Sequence, residues 1–312
     1  MTTAFQKKVL RPYGKWSDIL PLAWVLTAVL VWGGQWAADR LLEAFGGPLL
    51  DSWAGSHDAG VFLGMYGSFL GIWILITAVM LFYGPDRPML KAIGHNRFGN
   101  TLKMGVLGLL VGFSLNGLCI LLSILLGDIR LAFQGMGLLP FASFLIAVLI
   151  QSGAEELAVR CFLYQKLRRR YRHPAAAILG SALFFTVLHL FNPGASVSAM
   201  LEVTVSGLLF SLIIYYYGSF WGVCGIHAGW NFTQSILFGL PNSGLVSAAS
   251  LFRLDAASAV NGPFYSVGFG VEGSIGSLVL ESIFCVVVII AGRRSGRRED
   301  LWREAAKAHE TV

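Results

Sequence analysis

Eight apolar stretches, each long enough or nearly long enough to cross a lipid bilayer, constrain this chain more than any other feature. A helix rises about 1.5 Å per residue, so about 20 apolar residues cross a hydrocarbon core of about 30 Å. The stretches are Leu20–Ala38, Gly60–Phe82, Leu102–Leu126, Phe141–Leu163, Ala175–Phe191, Ala199–Tyr217, Phe220–Phe238 and Ile275–Ala291. Only 13% of the 312 residues are charged, about half the share in a soluble domain. We therefore predict an all-α polytopic membrane protein, a single integral-membrane domain over residues 1–312, and exclude soluble, disordered and disulfide-stapled folds.

The charges between these stretches alternate in sign along the chain. Basic clusters lie before the first stretch, in the second loop, in the fourth loop and after the last stretch: Lys7, Lys8, Arg11, Lys15; Arg87, Lys91, Arg97, Lys103; Lys166, Arg168, Arg169, Arg170, Arg172; Arg293, Arg294, Arg297, Arg298. Eight spans place all of these clusters on one side, which the positive-inside rule makes cytoplasmic. We predict that the N- and C-termini are both cytoplasmic and that the net charge of +6 reflects topology, not binding of nucleic acid.

Small residues and cysteines in the stretches are predicted to serve packing. Glycines recur at three- to four-residue spacing in the second and third stretches, as in close helix pairs. The four cysteines have no C-x-x-C spacing and are predicted to be buried free thiols. The segment Pro241–Ser274 is predicted to be an outer loop, rich in Gly and Ser, that could dip into the membrane.

Few ionisable or strongly polar side chains lie inside the predicted spans, and those few are the functional candidates. A charged side chain near the centre of a membrane helix costs about 2.5–3.5 kcal/mol on insertion scales, so such groups usually face a cavity or one another. They are Glu155, Glu156 and Arg160 in the fourth span, His189 in the fifth, Glu202 in the sixth, and His227 and Asn231 in the seventh.

The two adjacent glutamates of the fourth span differ in whether they can pair with Arg160. Glu156 and Arg160 lie four residues apart on one helix face and can pair. Glu155 lies about 140° from Arg160 around the helix and cannot comfortably use the same partner. One carboxylate is therefore predicted to be neutralised and the other to be free, which suits a general base. The alternative is a charge cluster at a helix end, solvated by the basic run that follows.

Each of the other polar groups also has a packing alternative. His189 follows Phe185 by four residues and can pack against its ring, while His227 and Asn231 share a face and can hydrogen bond between helices. For Glu202, near the outer end of its span, snorkelling or packing is favoured over catalysis. As a set, however, these groups supply what buried hydrolysis needs. One carboxylate and one imidazole can activate water, and a second imidazole and an amide can stabilise the oxyanion.

Three spaced motifs in this region resemble those of a known family. They are Glu155-Glu156-x-x-x-Arg160, Phe185-x-x-x-His189 and His227-x-x-x-Asn231, in that order on consecutive spans. They resemble the motifs of the CPBP family, the CAAX proteases and bacteriocin-processing enzymes related to the type II CAAX prenyl endopeptidase. The resemblance covers about residues 147–238, under a third of the chain.

This resemblance implies an intramembrane endopeptidase of the glutamate type. It implies that Glu155 and His189 activate water, that His227 and Asn231 form the oxyanion hole, and that Glu156 and Arg160 are structural. Glu155, His189 and His227 could also form a three-ligand zinc site. Without H-E-x-x-H, and with the histidines on separate helices, the residues favour no cofactor and no metal.

One feature fits this reading poorly. Measured from the predicted span ends, Glu155 and His227 lie in the inner half of the bilayer, whereas His189 lies too high. For Glu155 and His189 to act together, the fifth span must begin later in the sequence or its helix must be tilted.

The sequence thus predicts a protease with a water-containing cavity that faces the cytoplasmic side, in a bacterial cytoplasmic (inner) membrane. The expected partners are the lipid bilayer and a membrane-associated protein or peptide substrate, either prenylated or a precursor. One alternative is a non-enzymatic binding, immunity or scaffold protein of the same fold. A transporter, with buried acids relaying protons, is a second alternative, disfavoured by the lack of internal repeats.

Overall fold

The computed structural model describes residues 10, 11, 13–95 and 99–303, and within them the regular structure is helical apart from one short ribbon. The α-helices are α1 (Leu20–Phe45), α2 (Gly47–Ala54), α3 (His57–Gly67), α4 (Leu70–Phe82), α5 (Leu102–Leu126), α6 (Leu138–Glu156), α7 (Tyr164–Arg170), α8 (Ala175–His189), α9 (Val197–Tyr217), α10 (Phe220–Asn231) and α11 (Ile275–Ser295). Short 3-10 segments are Trp16–Asp18, Gly84–Ala92 and Val271–Gly273. Strands β1 (Leu131–Phe133) and β2 (Phe252–Leu254) pair antiparallel.

Two helices contain π-helical turns at the positions where the sequence motifs lie. The turn Leu157–Leu163 joins α6 to α7, so Leu138–Arg170 is one continuous helical rod. The turn Phe232–Leu237 continues α10. Such turns are often found at functional sites. The largest buried apolar cluster surrounds the first of them and includes Ile76 of α4, Phe185 of α8 and Phe210 of α9.

Within the described residues, six helical segments are long and apolar enough to cross a membrane: Leu20–Phe45, His57–Phe82, Leu102–Leu126, Leu138–Arg170, Val197–Tyr217 and Ile275–Ser295. The other two predicted spans are helical but shorter. The 15 residues of α8 extend about 22 Å. Helix α10 has 12 residues before its π turn, and every residue from Gly222 to Asn231 is buried within the protein. An all-α polytopic architecture is therefore confirmed, while the count of eight spans stays a prediction.

The first and last described segments meet at the end of α7. The Arg11 guanidinium lies 2.6 Å from the Asp300 carboxylate, and Arg168 lies 2.8 Å from the same group. The two described ends of the chain therefore lie on one side of the molecule, as an even number of crossings requires. That this side is cytoplasmic remains a prediction, and Lys7, Lys8 and Arg97, which contributed to it, lie outside the described residues.

The basic run after the fourth span is not the solvated loop that the sequence indicated. Helix continues through it to Arg170, and both Lys166 and Arg169 are buried. Lys166 pairs with Asp18 at 3.3 Å and Asp86 at 3.1 Å, while Arg169 pairs with them at 2.6 and 2.7 Å. Two cations and two anions from three distant segments neutralise one another, and this balance lets the helix extend beyond the predicted end.

Glycines bring α5 and α10 into backbone contact, as their spacing predicted. A Cβ added at Gly112 would lie 2.8 Å from the Trp230 nitrogen, and one at Gly229 would lie 3.0 Å from the Phe113 nitrogen. Neither position has room for a side chain. This close approach fixes α10, and with it the face that carries the third motif. The four cysteines are free, three of them fully buried.

Candidate active site

The first motif lies at the junction of α6 and its π turn. Glu156 Oε2 lies 3.1 Å from Arg160 Nε, and both side chains are completely buried, so the predicted pair is confirmed. The Arg160 guanidinium also lies over the rings of Phe185 and Phe210, 5.1 and 5.5 Å from their centroids. Aromatic faces attract a cation, so carboxylate and rings together hold Arg160 inside the protein.

The neighbouring Glu155 keeps one carboxylate oxygen free. Gln151 Nε2 donates to Glu155 Oε1 at 2.8 Å. Glu155 Oε2 accepts no hydrogen bond from the described residues, and it lies 3.6 Å from His227 Nε2. The helix geometry suggested different roles for the two glutamates, and their partners do differ: Glu156 pairs with Arg160, whereas Glu155 does not.

His189 is the last residue of α8 and presents one ring nitrogen for chemistry. Its Nδ1 lies 2.8 Å from the Phe185 carbonyl oxygen. A carbonyl can only accept, so Nδ1 carries the proton and Nε2 of the neutral ring keeps its lone pair. The imidazole packs on the Phe185 ring with centroids 4.6 Å apart, as the four-residue spacing predicted.

The apparent mismatch in depth between Glu155 and His189 disappears in the structure. Because the helix runs on to Arg170, Glu155 lies 15 residues, about 22 Å, from the inner end of its rod. His189 lies 14 residues, about 21 Å, from Ala175 at the start of the adjoining α8. The two side chains therefore reach the same level, and α8 begins where the sequence placed it. Of the two explanations considered, a later start and a tilted helix, the later start is therefore excluded, because the misplaced end was that of the fourth span.

His227 lies between the two glutamates. Its Nδ1 lies 3.0 Å from Glu156 Oε1, and its Nε2 faces Glu155. The imidazole stacks on the Phe210 ring at 5.5 Å and meets the Phe185 ring edge-on at 5.9 Å. Each nitrogen faces a carboxylate oxygen, so a ring with a proton on both nitrogens satisfies both contacts.

Asn231 belongs to a chain of hydrogen bonds that crosses the site. Its Nδ2 lies 3.1 Å from Gln151 Oε1 and 3.4 Å from Ser152 Oγ. Asn242 Nδ2 donates at 3.1 Å to both Asn231 Oδ1 and Glu272 Oε1. The loop after α10 is thereby connected to the first and third motifs.

All four predicted catalytic side chains line one cavity of about 300 Å³. Polar side chains in its lining include Gln151, Glu155, His189, Glu202, Ser206, His227, Asn231, Asn242, Ser243, Glu272 and Glu281. Three of these, Asn242, Ser243 and Glu272, come from the segment predicted as an outer loop. The loop folds onto the helices and contributes these three side chains to the lining of the cavity. That the cavity faces the cytoplasmic side stays a prediction.

Three acidic residues of the lining were not identified from the sequence as part of the site. Glu202 is 1% exposed and lines the cavity, so of the two roles expected for it, snorkelling or packing, its burial excludes snorkelling. Glu281 is 4% exposed, and its position inside the last apolar span was a signal that could have identified it. Glu272 is buried and accepts hydrogen bonds from Trp230, Asn242 and Ser243, contacts that only the folded loop creates.

The three residues considered for zinc do not form a ligand set. No group of three or more His, Cys, Asp or Glu side chains among the described residues is arranged to hold a metal ion. His227 Nδ1 already contacts Glu156 Oε1. That the site works without a metal or cofactor stays a prediction.

Comparison with known proteins agrees with the motifs. Residues 137–233 match the family model described as type II CAAX prenyl endopeptidase Rce1-like. The matched segment contains all three motifs. No curated protein and no solved structure matches the chain. The match confirms the resemblance to the CAAX proteases, and with the long apolar helices it supports an integral-membrane protease in general terms.

Proposed function

We propose that this protein is an intramembrane endopeptidase that hydrolyses a peptide bond of a membrane-associated protein or peptide by glutamate- and histidine-activated water. One observation carries the proposal. Glu155, His189, His227 and Asn231 come from three different helices and line a single cavity. A free carboxylate oxygen and a free imidazole nitrogen are two of the groups in that lining.

In this mechanism the attacking water donates hydrogen bonds to Glu155 and His189, and Glu155 accepts one proton from it. The resulting hydroxide adds to the substrate carbonyl carbon, and the proton passes to the leaving amine, so no covalent enzyme intermediate forms. General-base catalysis of this kind contributes about 10²–10⁴-fold to the rate. Burial within protein and lipid strengthens it, because charges act more strongly where water is scarce.

His227 and Asn231 stabilise the oxyanion that develops on the carbonyl oxygen. An imidazole N–H and an amide N–H are both suitable donors. The longer Asn231 contact, 3.4 Å to Ser152, is the one that an oxyanion would replace. Loss of one such donor costs about 10²–10³-fold in turnover. Glu156 and Arg160 act through His227, whose ring they orient.

This mechanism needs neither metal nor cofactor. A site that lies among membrane-spanning helices favours a substrate that is itself held at the membrane, as a prenylated or precursor protein would be. We further propose that the protein works in a bacterial cytoplasmic (inner) membrane with eight spans and cytoplasmic termini.

Purified wild-type protein and three variants test the mechanism. Glu155→Gln and His189→Ala should each lose at least about 100-fold in peptidase activity, while the exposed Glu43→Gln, matched in chemistry to Glu155→Gln, should not. Thermal unfolding of all four proteins establishes that the losses are not losses of fold. Activity retained in both Glu155→Gln and His189→Ala would refute the mechanism.

A cellular experiment identifies the substrate and separates catalysis from binding. Terminal-peptide proteomics compares cells that make the wild-type protein with cells that make Glu155→Gln. Protein termini present only with the wild type mark the cleaved bonds. A Glu155→Gln protein that still performs the cellular task would instead support a binding, immunity or scaffold role.

A further inference from the structure

The cavity has an acidic side that the proposed reaction does not use. Glu202 of α9 and Glu281 of α11 line it, and their carboxyl groups lie within hydrogen-bonding range of each other. Ser206 Oγ donates to Glu281 Oε2 at 2.5 Å. Glu202 is 1% exposed, and its Oε1 has no hydrogen-bond partner among the described residues.

No protein cation balances this pair. Among the described residues that line the cavity there is no lysine or arginine, and the two histidines, His189 and His227, belong to the proposed reaction. Two other acids line the cavity: Glu155 belongs to the proposed reaction, and Glu272 is satisfied by donors from three residues. A buried carboxyl oxygen without a partner is costly, so Glu202 is an acid outside the proposed reaction that still lacks a hydrogen-bond donor.

Two carboxyl groups in contact inside a protein cannot both stay charged, because like charges at this distance repel strongly. A cation beside the pair favours loss of a proton from one of the two carboxyl groups, and the resulting single negative charge matches that cation. An ammonium or guanidinium group offers several N–H donors and a full positive charge, both of which the free Glu202 oxygen can use.

We propose that Glu202, Glu281 and Ser206 form a subsite that binds a lysine or arginine side chain of the peptide substrate. This inference rests on the proposed peptidase function and adds a substrate class to it. The subsite and the reacting groups line the same cavity, so the basic residue would lie close to the bond that is cut.

Synthetic peptides test the subsite directly. A defined peptide mixture, incubated with the full-length protein and analysed by mass spectrometry, shows which bonds are cut and which residues surround them. A second probe is a membrane-partitioning peptide with one central lysine, compared with the same peptide carrying neutral acetyl-lysine. We expect lysine or arginine near the cut bonds, and a ratio of kcat/KM, lysine over acetyl-lysine, of roughly tenfold to a hundredfold.

Neutralising either acid should remove this discrimination. In Glu202→Gln and Glu281→Gln the lysine to acetyl-lysine ratio should fall towards one, while in the control Glu43→Gln it should keep its wild-type value. Because the readout is a ratio, a general loss of activity or of stability does not imitate the result.

The other outcomes separate the two proposals. Cleavage without preference for basic residues, or a ratio that survives in both variants, overturns the subsite and leaves the peptidase function standing. If the wild type cuts nothing, binding of the two labelled peptides is measured by fluorescence anisotropy. If the wild type binds the lysine peptide more tightly than the acetyl-lysine peptide and Glu202→Gln does not, the subsite proposal stands and the peptidase proposal is refuted. If the wild type binds both peptides equally, both proposals are refuted.

Discussion

Replacing Glu156 by Gln should affect stability and catalysis through two separate contacts. The substitution keeps the shape of the side chain but leaves the buried Arg160 without its carboxylate, 3.1 Å away. Breaking a buried ion pair by removing one partner costs about 3–5 kcal/mol. At about 2 °C per kcal/mol for a chain of this size, the melting temperature should fall by roughly 6–10 °C.

The double variant Glu156→Gln/Arg160→Met should regain most of that stability, because an apolar side chain in place of a buried ion is often neutral or stabilising. It should not regain activity. His227 Nδ1 has lost its charged acceptor at 3.0 Å, and the difference between a charged and a neutral hydrogen bond, about 1 kcal/mol, is worth roughly tenfold or less in turnover.

The assay uses the thiols that the fold already contains. Cys119, Cys161 and Cys224 are buried and free, so a thiol-reactive fluorescent dye reports unfolding in detergent. Turnover is measured on the same preparations below the lowest melting temperature. A Glu156→Gln melting temperature equal to that of the wild type would refute the buried-pair reasoning. Recovery of turnover together with stability in the double variant would refute the positioning role.

Three further predictions concern other parts of the molecule. Burial alone would raise the pKa of Asp300, but the Arg11 hydrogen bond and the Arg168 charge outweigh burial and hold that pKa below its usual value. The stabilisation by Asp300 is therefore complete above about pH 4 and is lost as pH falls through the lowered pKa. The difference in melting temperature between wild type and Asp300→Asn should shrink in acid, and a constant difference from pH 7 to pH 3 would contradict this. Gly112→Ala should destabilise the fold by about 1–3 kcal/mol and lower activity, because the added Cβ meets the α10 backbone. The control Gly117→Ala, whose Cβ meets nothing within 4 Å, should change neither stability nor activity. Equal melting temperatures for the two variants would count against the glycine contact. Exhaustive treatment with a zinc chelator should leave peptidase activity unchanged, and a loss that added zinc restores would disprove the metal-free mechanism.

The contacts that could be predicted from the sequence are those within one helix turn. The Glu156–Arg160 pair and the packing of Phe185 on His189 follow from four-residue spacing, and both are present. Contacts between distant segments could not be read in this way. The end of the fourth span was misplaced because Asp18 and Asp86, far away in sequence, neutralise the cations of α7.

The same limit applies within the cavity. An isolated Glu202 suggests snorkelling because sequence does not show which side of a helix faces lipid and which faces protein. Only the packing of α9 against α11 brings Glu281 to Glu202 and to Ser206, which lies on the same helix as Glu202. Hydropathy also treats α10 as an ordinary span, although nearly all of its surface is covered by other helices.

The contact between Arg11 and Asp300 has a consequence for biosynthesis. The two residues are 289 positions apart, so their ion pair can close only after the last helix has been made. Synthesis proceeds from the N-terminus, so Glu155, His189, His227 and Asn231 all enter the membrane before α11 brings Glu281. During translation the segments that carry the reacting groups are therefore made first, and the acidic side of the cavity, Glu202 and Glu281, is completed last.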